Sequence, residues 1–104
     1  MSTSFEKKWD EVCNLLHVGQ VINNWGYVRG YTGKSFKISR IEPDSIVIDS
    51  PSAKNLQRVP KDDFRKVWEI WKAYLSQKIL RNEITAFITR YSSYILSIFH
   101  DLKV

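Results

Sequence analysis

The chain has 104 residues, of which 43% are hydrophobic, 13% aromatic and 26% charged. This length supports one hydrophobic core, so we predict a single domain over residues 1–104, and the apolar content excludes a disordered chain. Sixteen lysines and arginines against eleven aspartates and glutamates give a net charge of +5, which suits an anionic partner without requiring one.

The N-terminal residues predict an amphipathic helix that ends near Gly19. Its apolar side chains recur at helical intervals, and they are Phe5, Trp9, Val12, Cys13 and Leu16. Cys13 lies on this stripe, so a buried thiol is the expected state. Cys13 and His17 have the i, i+4 spacing of a metal pair, but no further cysteine is present and the only other histidine is His100, so we predict no metal or cofactor.

The middle of the chain predicts three or four antiparallel strands. Residues 20–25 and 35–41 are the first two, and residues 26–34 between them are interpreted as a loop because they hold three glycines. Pro43 and Asp44 form a turn into a β-branched strand over residues 45–49. A fourth strand over residues 56–59 ends at a proline.

Pro60 is followed by the strongest helical pattern of the chain. Asp62 and Asp63 favour a helix N-terminus. The apolar side chains that follow at helical spacing, Phe64, Val67, Trp68, Trp71, Tyr74 and Leu75, are typical of a helix that covers a sheet.

The C-terminal pattern fits either one continuous helix or two helices with a turn. Apolar residues from Ile84 to Leu102 alternate spacings of three and four, which suits a continuous helix. Ser92 and Ser93 favour a break, because a serine hydroxyl caps a new helix well and serine is a poor interior residue. We therefore predict an α+β fold that ends in a helix-turn-helix-like pair, with a first helix over about residues 82–88.

The sequence contains no recognisable catalytic motif. Asp44 and Asp49 resemble the start of a nuclease carboxylate motif. That motif needs a lysine two residues after its second acid, whereas Asp49 is followed by Ser50 and Pro51. No phosphate-binding loop and no Ser-His-Asp signature occurs. The sequence thus predicts a non-catalytic protein. A single cysteine and no secretory pattern predict a cytoplasmic location, and the apolar stretch of residues 91–99 is too short to span a membrane.

Two segments are candidate DNA contacts. The first is basic and free of acids between residues 25 and 41, and it combines Arg29, Lys34, Lys37 and Arg40 with the aromatic residues Trp25, Tyr27 and Tyr31. Its alternative interpretation is a solvated loop whose aromatic rings pack on the core. The second is the predicted helical pair, with Arg81, Arg90, Ser92, Ser93 and Tyr94 around the turn. The lack of Arg, Lys, Asn or Gln in residues 91–99 is a weakness of that site for base readout.

Two further functions compete with DNA binding. The apolar run from Tyr91 to Leu102 exceeds what a small core is expected to cover, which favours a homodimer through this surface. A pocket for a small aromatic or cationic ligand would need Trp25, Trp68 and Trp71 on one concave surface.

Three strings also carry a family resemblance. VPKDDFRKVWEIWKAY over residues 59–74, RNEI over 81–84 and SSYILSI over 92–98 resemble small uncharacterised α+β proteins of mobile integron gene cassettes. A similar segment lies beside restriction-type nuclease domains. The resemblance implies a bacterial protein of accessory function with a DNA-contact role, and it brings no catalytic residue.

Overall fold

A computed structural model describes residues 3–27, 30–51 and 53–103, with the side chains of residues 3 and 4 excepted. The α+β prediction is confirmed: these residues form four helices and one four-stranded antiparallel sheet. In chain order the elements are α1 (Thr3–Leu15), β1 (Val21–Gly26), β2 (Gly30–Glu42), β3 (Ser45–Asp49), β4 (Gln57–Pro60), α2 (Lys61–Leu75), α3 (Arg81–Phe87) and α4 (Ser92–Leu102). The first helix ends four residues before Gly19, which adopts a left-handed φ of 88° in the link to β1.

The sheet is a meander in which each strand pairs with the next one in sequence. Its core face is a row of fully buried side chains brought together by the strand register, with Ile38 opposite Ile48 and Ile46 opposite Val59. Strand alternation places these residues on one side of the sheet. The helices pack against that side, and their buried residues join one continuous core with those of the strands.

The prediction of a loop over residues 26–34 is wrong for its second half. The strand β2 begins at Gly30, and Tyr31 pairs with Trp25 across the hairpin. Gly30 and Gly33 have φ values of 71° and 86°, so they are strand positions with left-handed backbone. The glycines mark irregular strand geometry here, which sequence analysis cannot separate from a loop.

Helices α2 and α4 form the centre of the helical layer. Phe64 and Trp71 of α2 meet Phe99 of α4, with ring centroids 6.0 and 5.5 Å from Phe99. In α4 the residues Ser92, Ile95, Leu96, Ser97, Ile98 and Phe99 are buried. More than half of the eleven residues of α4 are therefore buried, and Asp101 is its exposed residue.

The predicted break before Ser92 is confirmed, but its predicted cause is wrong. Tyr91 occupies the cap position, and no side chain caps α4. Thr89 shapes the turn instead: its buried hydroxyl accepts a hydrogen bond from the Tyr91 amide at 3.1 Å and donates one to Asp63 of α2 at 3.0 Å. Ser92 and Ser93 made the break predictable from the sequence, but the residue that stabilises the turn is Thr89, three residues before Ser92.

The two serines are expected to differ when each is replaced by alanine. The Thr85 hydroxyl donates to the Arg81 carbonyl, so the buried Ser92 hydroxyl acts as donor to Thr85. Ser92→Ala removes that bond and is expected to cost about 1 kcal/mol of stability. Ser93→Ala is expected to be nearly neutral, since the described contacts of Ser93 involve its carbonyl oxygen. Urea unfolding of both variants checks this difference, and equal losses would contradict it.

Helices long and apolar enough to cross a bilayer are absent from the described part of the chain.

Candidate nucleic-acid interface

Trp25 belongs to the core and does not face solvent as a stacking platform. Its ring lies parallel to the His100 ring at a centroid distance of 3.8 Å and meets the edges of Trp71 and Tyr74 at 6.4 Å. Its amide donates to the buried Ser97 hydroxyl at 2.9 Å. Burial under these rings lowers the pKa of His100. The alternative interpretation, in which loop aromatics complete the core, is therefore correct for Trp25.

The other predicted aromatic contacts have three different environments. Tyr31 is 61% exposed, and its hydroxyl is 3.1 Å from the His100 Nε2 atom. Tyr94 packs edge-on against the buried Phe36 at 5.0 Å and completes the core. Tyr27 is 40% exposed and meets the edge of Tyr74 at 6.3 Å. Tyr27 and Tyr31 are thus the accessible rings of the predicted set.

The surface of β2 carries less net positive charge in the fold than the sequence of the basic segment suggested. Arg29 lies outside the described residues, and Lys34 is exposed without an ion pair to a described residue. The β2–β3 hairpin brings the acidic segment beside the basic one, so that Lys37 is opposite Asp49 and Arg40 is 3.5 Å from Glu42. A hydrogen bond from Ser45 lowers the pKa of Glu42, with smaller contributions from Arg58 and Arg40. Carboxylates therefore offset much of the positive charge on this strand.

A groove between α3 and α4 unites the second predicted cluster. It has a volume of about 580 Å³, and its lining contains Arg81, Asn82, Thr85, Ala86, Arg90, Ser92 and Ser93. Four of these residues, Arg81, Arg90, Ser92 and Ser93, are the predicted contacts of the helical pair. Among the described residues that line the groove, none carries a carboxylate. Arg81 makes no ion pair with a described residue, and Arg90 lies over the Tyr91 ring at 4.9 Å while donating to its hydroxyl at 2.7 Å.

The amino end of α4 opens into this groove. The first amides of an α-helix lack partners inside the helix, and here the side chain of Tyr91 at the cap position makes no capping hydrogen bond to them. Together with the helix dipole, such amides favour an anion. Ser92 is only 2% exposed and fixes the floor through Thr85, so its side chain positions the groove wall instead of reaching outward.

A second cavity lies on the other side of Arg81 and was not predicted. It has a volume of about 250 Å³, and its lining contains Gly26, Tyr27, Thr32, Tyr74, Gln77, Ile79, Leu80, Arg81 and Asn82. The Tyr27 amide donates to the Tyr74 hydroxyl at 2.8 Å, which ties the β1–β2 hairpin to α2. The helical spacing of Tyr74 predicted a core residue. The cavity was not predicted because it forms only where Tyr27 and the α2–α3 loop meet beside Tyr74 in the tertiary fold.

The three tryptophans do not line one of the described cavities together. Trp71, which is 5% exposed, lines a cavity of about 390 Å³ that does not include Trp25 or Trp68. Trp68 packs on Phe99 at 6.1 Å with the Lys8 ammonium 5.1 Å from its ring centroid. None of the three tryptophans lines the 250 Å³ cavity. The aromatic walls of that cavity are tyrosines.

The burial of α4 bears on two of the predictions made for it. Six of its eleven residues are buried and Asp101 is exposed, so little of the helix surface is free to enter a major groove, and its role as a recognition helix stays a prediction. Ile95, Ile98 and Phe99 are fully buried within one chain, and Tyr91, Tyr94 and Leu102 pack against the same core. One chain thus buries most of the apolar run from Tyr91 to Leu102 and leaves Tyr91, Tyr94 and Leu102 partly buried, which weakens the reason for a homodimer. The homodimer itself stays a prediction.

Within residues 3–27, 30–51 and 53–103, no three His, Cys, Asp or Glu side chains lie close enough together to bind a metal ion. Burial, with a smaller contribution from Asp10, raises the pKa of the Cys13 thiol, which disfavours the thiolate. Comparison with known proteins gives no match to a family model, a curated protein or a solved structure.

Proposed function

We propose that this protein is a small, non-catalytic DNA-binding module that contacts phosphates through the α3–α4 groove. The observation that carries the proposal is the groove lining, where two arginines and the amino end of a helix converge and no described residue adds a carboxylate. Arginine guanidinium groups and amides at helix amino ends both bind phosphates in proteins.

The alternative DNA surface on β2 is less well supported. Its arginine and lysine side chains lie beside Glu42 and Asp49, which compete with phosphates for the same cations. Glu83, the acid of α3, is not among the described residues that line the groove; its carboxylate accepts a hydrogen bond from the Leu80 amide at 2.9 Å. The described lining of the groove thus holds two arginines and no carboxylate.

The resemblance to integron-cassette proteins is consistent with this proposal. It implies an accessory role beside DNA, and two of its three strings, RNEI and SSYILSI, supply residues that line the groove. The net charge of +5 adds a sequence-independent attraction to nucleic acid.

The proposal is tested by fluorescence anisotropy with a labelled mixed-sequence DNA oligonucleotide at several salt concentrations. The double variant Arg81→Ala, Arg90→Ala is expected to bind more weakly and to reduce the slope of log K against log[salt] by about 1.4 to 1.8, the value for two lost phosphate contacts. The control variant Lys7→Ala, Lys54→Ala makes the same change in charge at two exposed lysines outside the groove.

A reduced slope in the arginine variant alone supports the groove. Equal reductions in both variants would show that only total charge matters, and no salt-dependent binding by the unmodified protein would contradict DNA binding altogether.

A further inference from the structure

We infer that the bound nucleic acid is single-stranded, with one unpaired base in the tyrosine pocket (Gly26, Tyr27, Thr32, Tyr74, Gln77, Ile79, Leu80, Arg81 and Asn82) and its phosphate in the α3–α4 groove. This inference rests on the proposed function and specifies its ligand.

The tyrosine pocket has the chemistry of a base site. Its volume of about 250 Å³ lies just below the range of about 300–1,000 Å³ for drug-sized ligands, so it suits one planar ring system or a nucleoside. The Tyr27 ring, which is 40% exposed, and the Ile79 side chain offer aromatic and apolar contact area, whereas Tyr74 is only 4% exposed and its hydroxyl accepts the hydrogen bond of the Tyr27 amide. Gln77 and Asn82 each carry an amide that can both donate and accept, as the edge of a base requires.

The pocket and the groove are adjacent, because Arg81 and Asn82 line both of them. A base and its own phosphate are separated by one sugar, so a nucleotide needs its two binding sites next to each other. Arg81 lines both cavities and forms no ion pair with a described residue. This arrangement fits a nucleotide better than a free phosphate or a free aromatic ring, each of which would use only one of the two cavities.

Duplex DNA does not fit this arrangement. A base inside a duplex is stacked and paired, so it cannot enter a concave pocket without being flipped out. The helix that would read a major groove is buried in the core. Single strands, by contrast, are bound by a basic groove along the backbone together with aromatic rings that stack on bases.

The inference is tested by comparing three probes on the same protein: a single-stranded DNA oligonucleotide, an abasic strand of equal length, and deoxyadenosine monophosphate. The abasic strand keeps the phosphates and lacks the bases. We expect the ordinary strand to bind more tightly than the abasic one by about 5- to 150-fold, the value of one stacked base. We expect Tyr27→Leu to lose most of this difference while its affinity for the abasic strand stays unchanged.

Tyr27→Leu keeps the backbone amide that bonds to Tyr74, and a thermal melt checks that the variant folds. Thr32→Leu provides a second variant, which narrows the pocket from an exposed strand position without removing a core side chain. It is expected to weaken the ordinary strand and to leave the abasic strand unaffected.

The outcomes separate this inference from the proposed function. Binding of the ordinary and abasic strands with equal affinity would overturn the base pocket and leave the phosphate groove intact. Tighter binding of a duplex than of the single strand would also overturn it. Equal affinity for deoxyadenosine monophosphate and the oligonucleotide would assign the site to a free nucleotide. Failure of every probe to bind would reject the proposed function itself.

Discussion

Replacing Phe99 by alanine is expected to destabilise the protein by about 3–5 kcal/mol, the usual cost of removing a fully buried phenylalanine. The Phe99 side chain is completely buried and contacts the rings of Phe64, Trp68 and Trp71. Domains of this size have a total stability of about 5–15 kcal/mol, so the variant loses a large part of it. Urea unfolding followed by tryptophan fluorescence measures the loss.

Phe87→Ala is the matched control for this prediction. Phe87 lies at the end of α3 and is 85% exposed, so its replacement is expected to change stability by no more than about 0.5 kcal/mol. Similar losses for the two phenylalanines would contradict the placement of α4 in the core. A small loss for Phe99→Ala would restore α4 as a candidate recognition helix.

Trp25→Ala is expected to lower the free energy of unfolding by about 3 kcal/mol. This value is at the lower end of the range for a tryptophan because the side chain is only partly buried. The variant removes the stack on His100 and the edge contacts to Trp71, Tyr74 and Tyr27. A ring that serves the ligand instead of the core would leave stability nearly unchanged when removed. Thermal and urea unfolding distinguish these two roles.

Tyr31→Ala is the control on the paired strand. Tyr31 is 61% exposed and faces Trp25 across the hairpin, so its loss is expected to cost less than about 1 kcal/mol. If Tyr31→Ala destabilised the protein as much as Trp25→Ala, the division between core and surface rings described above would be wrong.

The sequence predicted the order of elements well, because each one has a local signal. The helical spacing of Trp9, Phe64 and Trp71 predicted which helix faces are buried, and the turn at Pro43 predicted the β2–β3 hairpin. The bounds of β3 were predicted as observed, and those of the other elements moved by one to four residues, except where glycines hid the start of β2. The break before Ser92 was also predicted, through residues that do not themselves cap the helix.

The candidate site was predicted only in part, because it depends on contacts between distant segments. Arg81, Arg90, Ser92 and Ser93 lie close in sequence, so a local pattern sufficed to group them. The tyrosine pocket joins the β1–β2 turn to the α2–α3 loop, which lie about fifty residues apart in the sequence. The acid-free charge pattern of residues 25–41 overstated the positive charge of the β2 surface for the same reason, since the strand register places Asp49 opposite Lys37.

The most direct test of phosphate binding in the α3–α4 groove is an NMR titration of the ¹⁵N-labelled protein with a single-stranded DNA oligonucleotide. We expect the amide signals of Arg81, Asn82, Ser92 and Ser93 to shift progressively, together with the side-chain signals of Arg81 and Arg90. We expect little change along β2 from Lys34 to Arg40. Shifts confined to β2, with the groove signals unmoved at saturation, would contradict it.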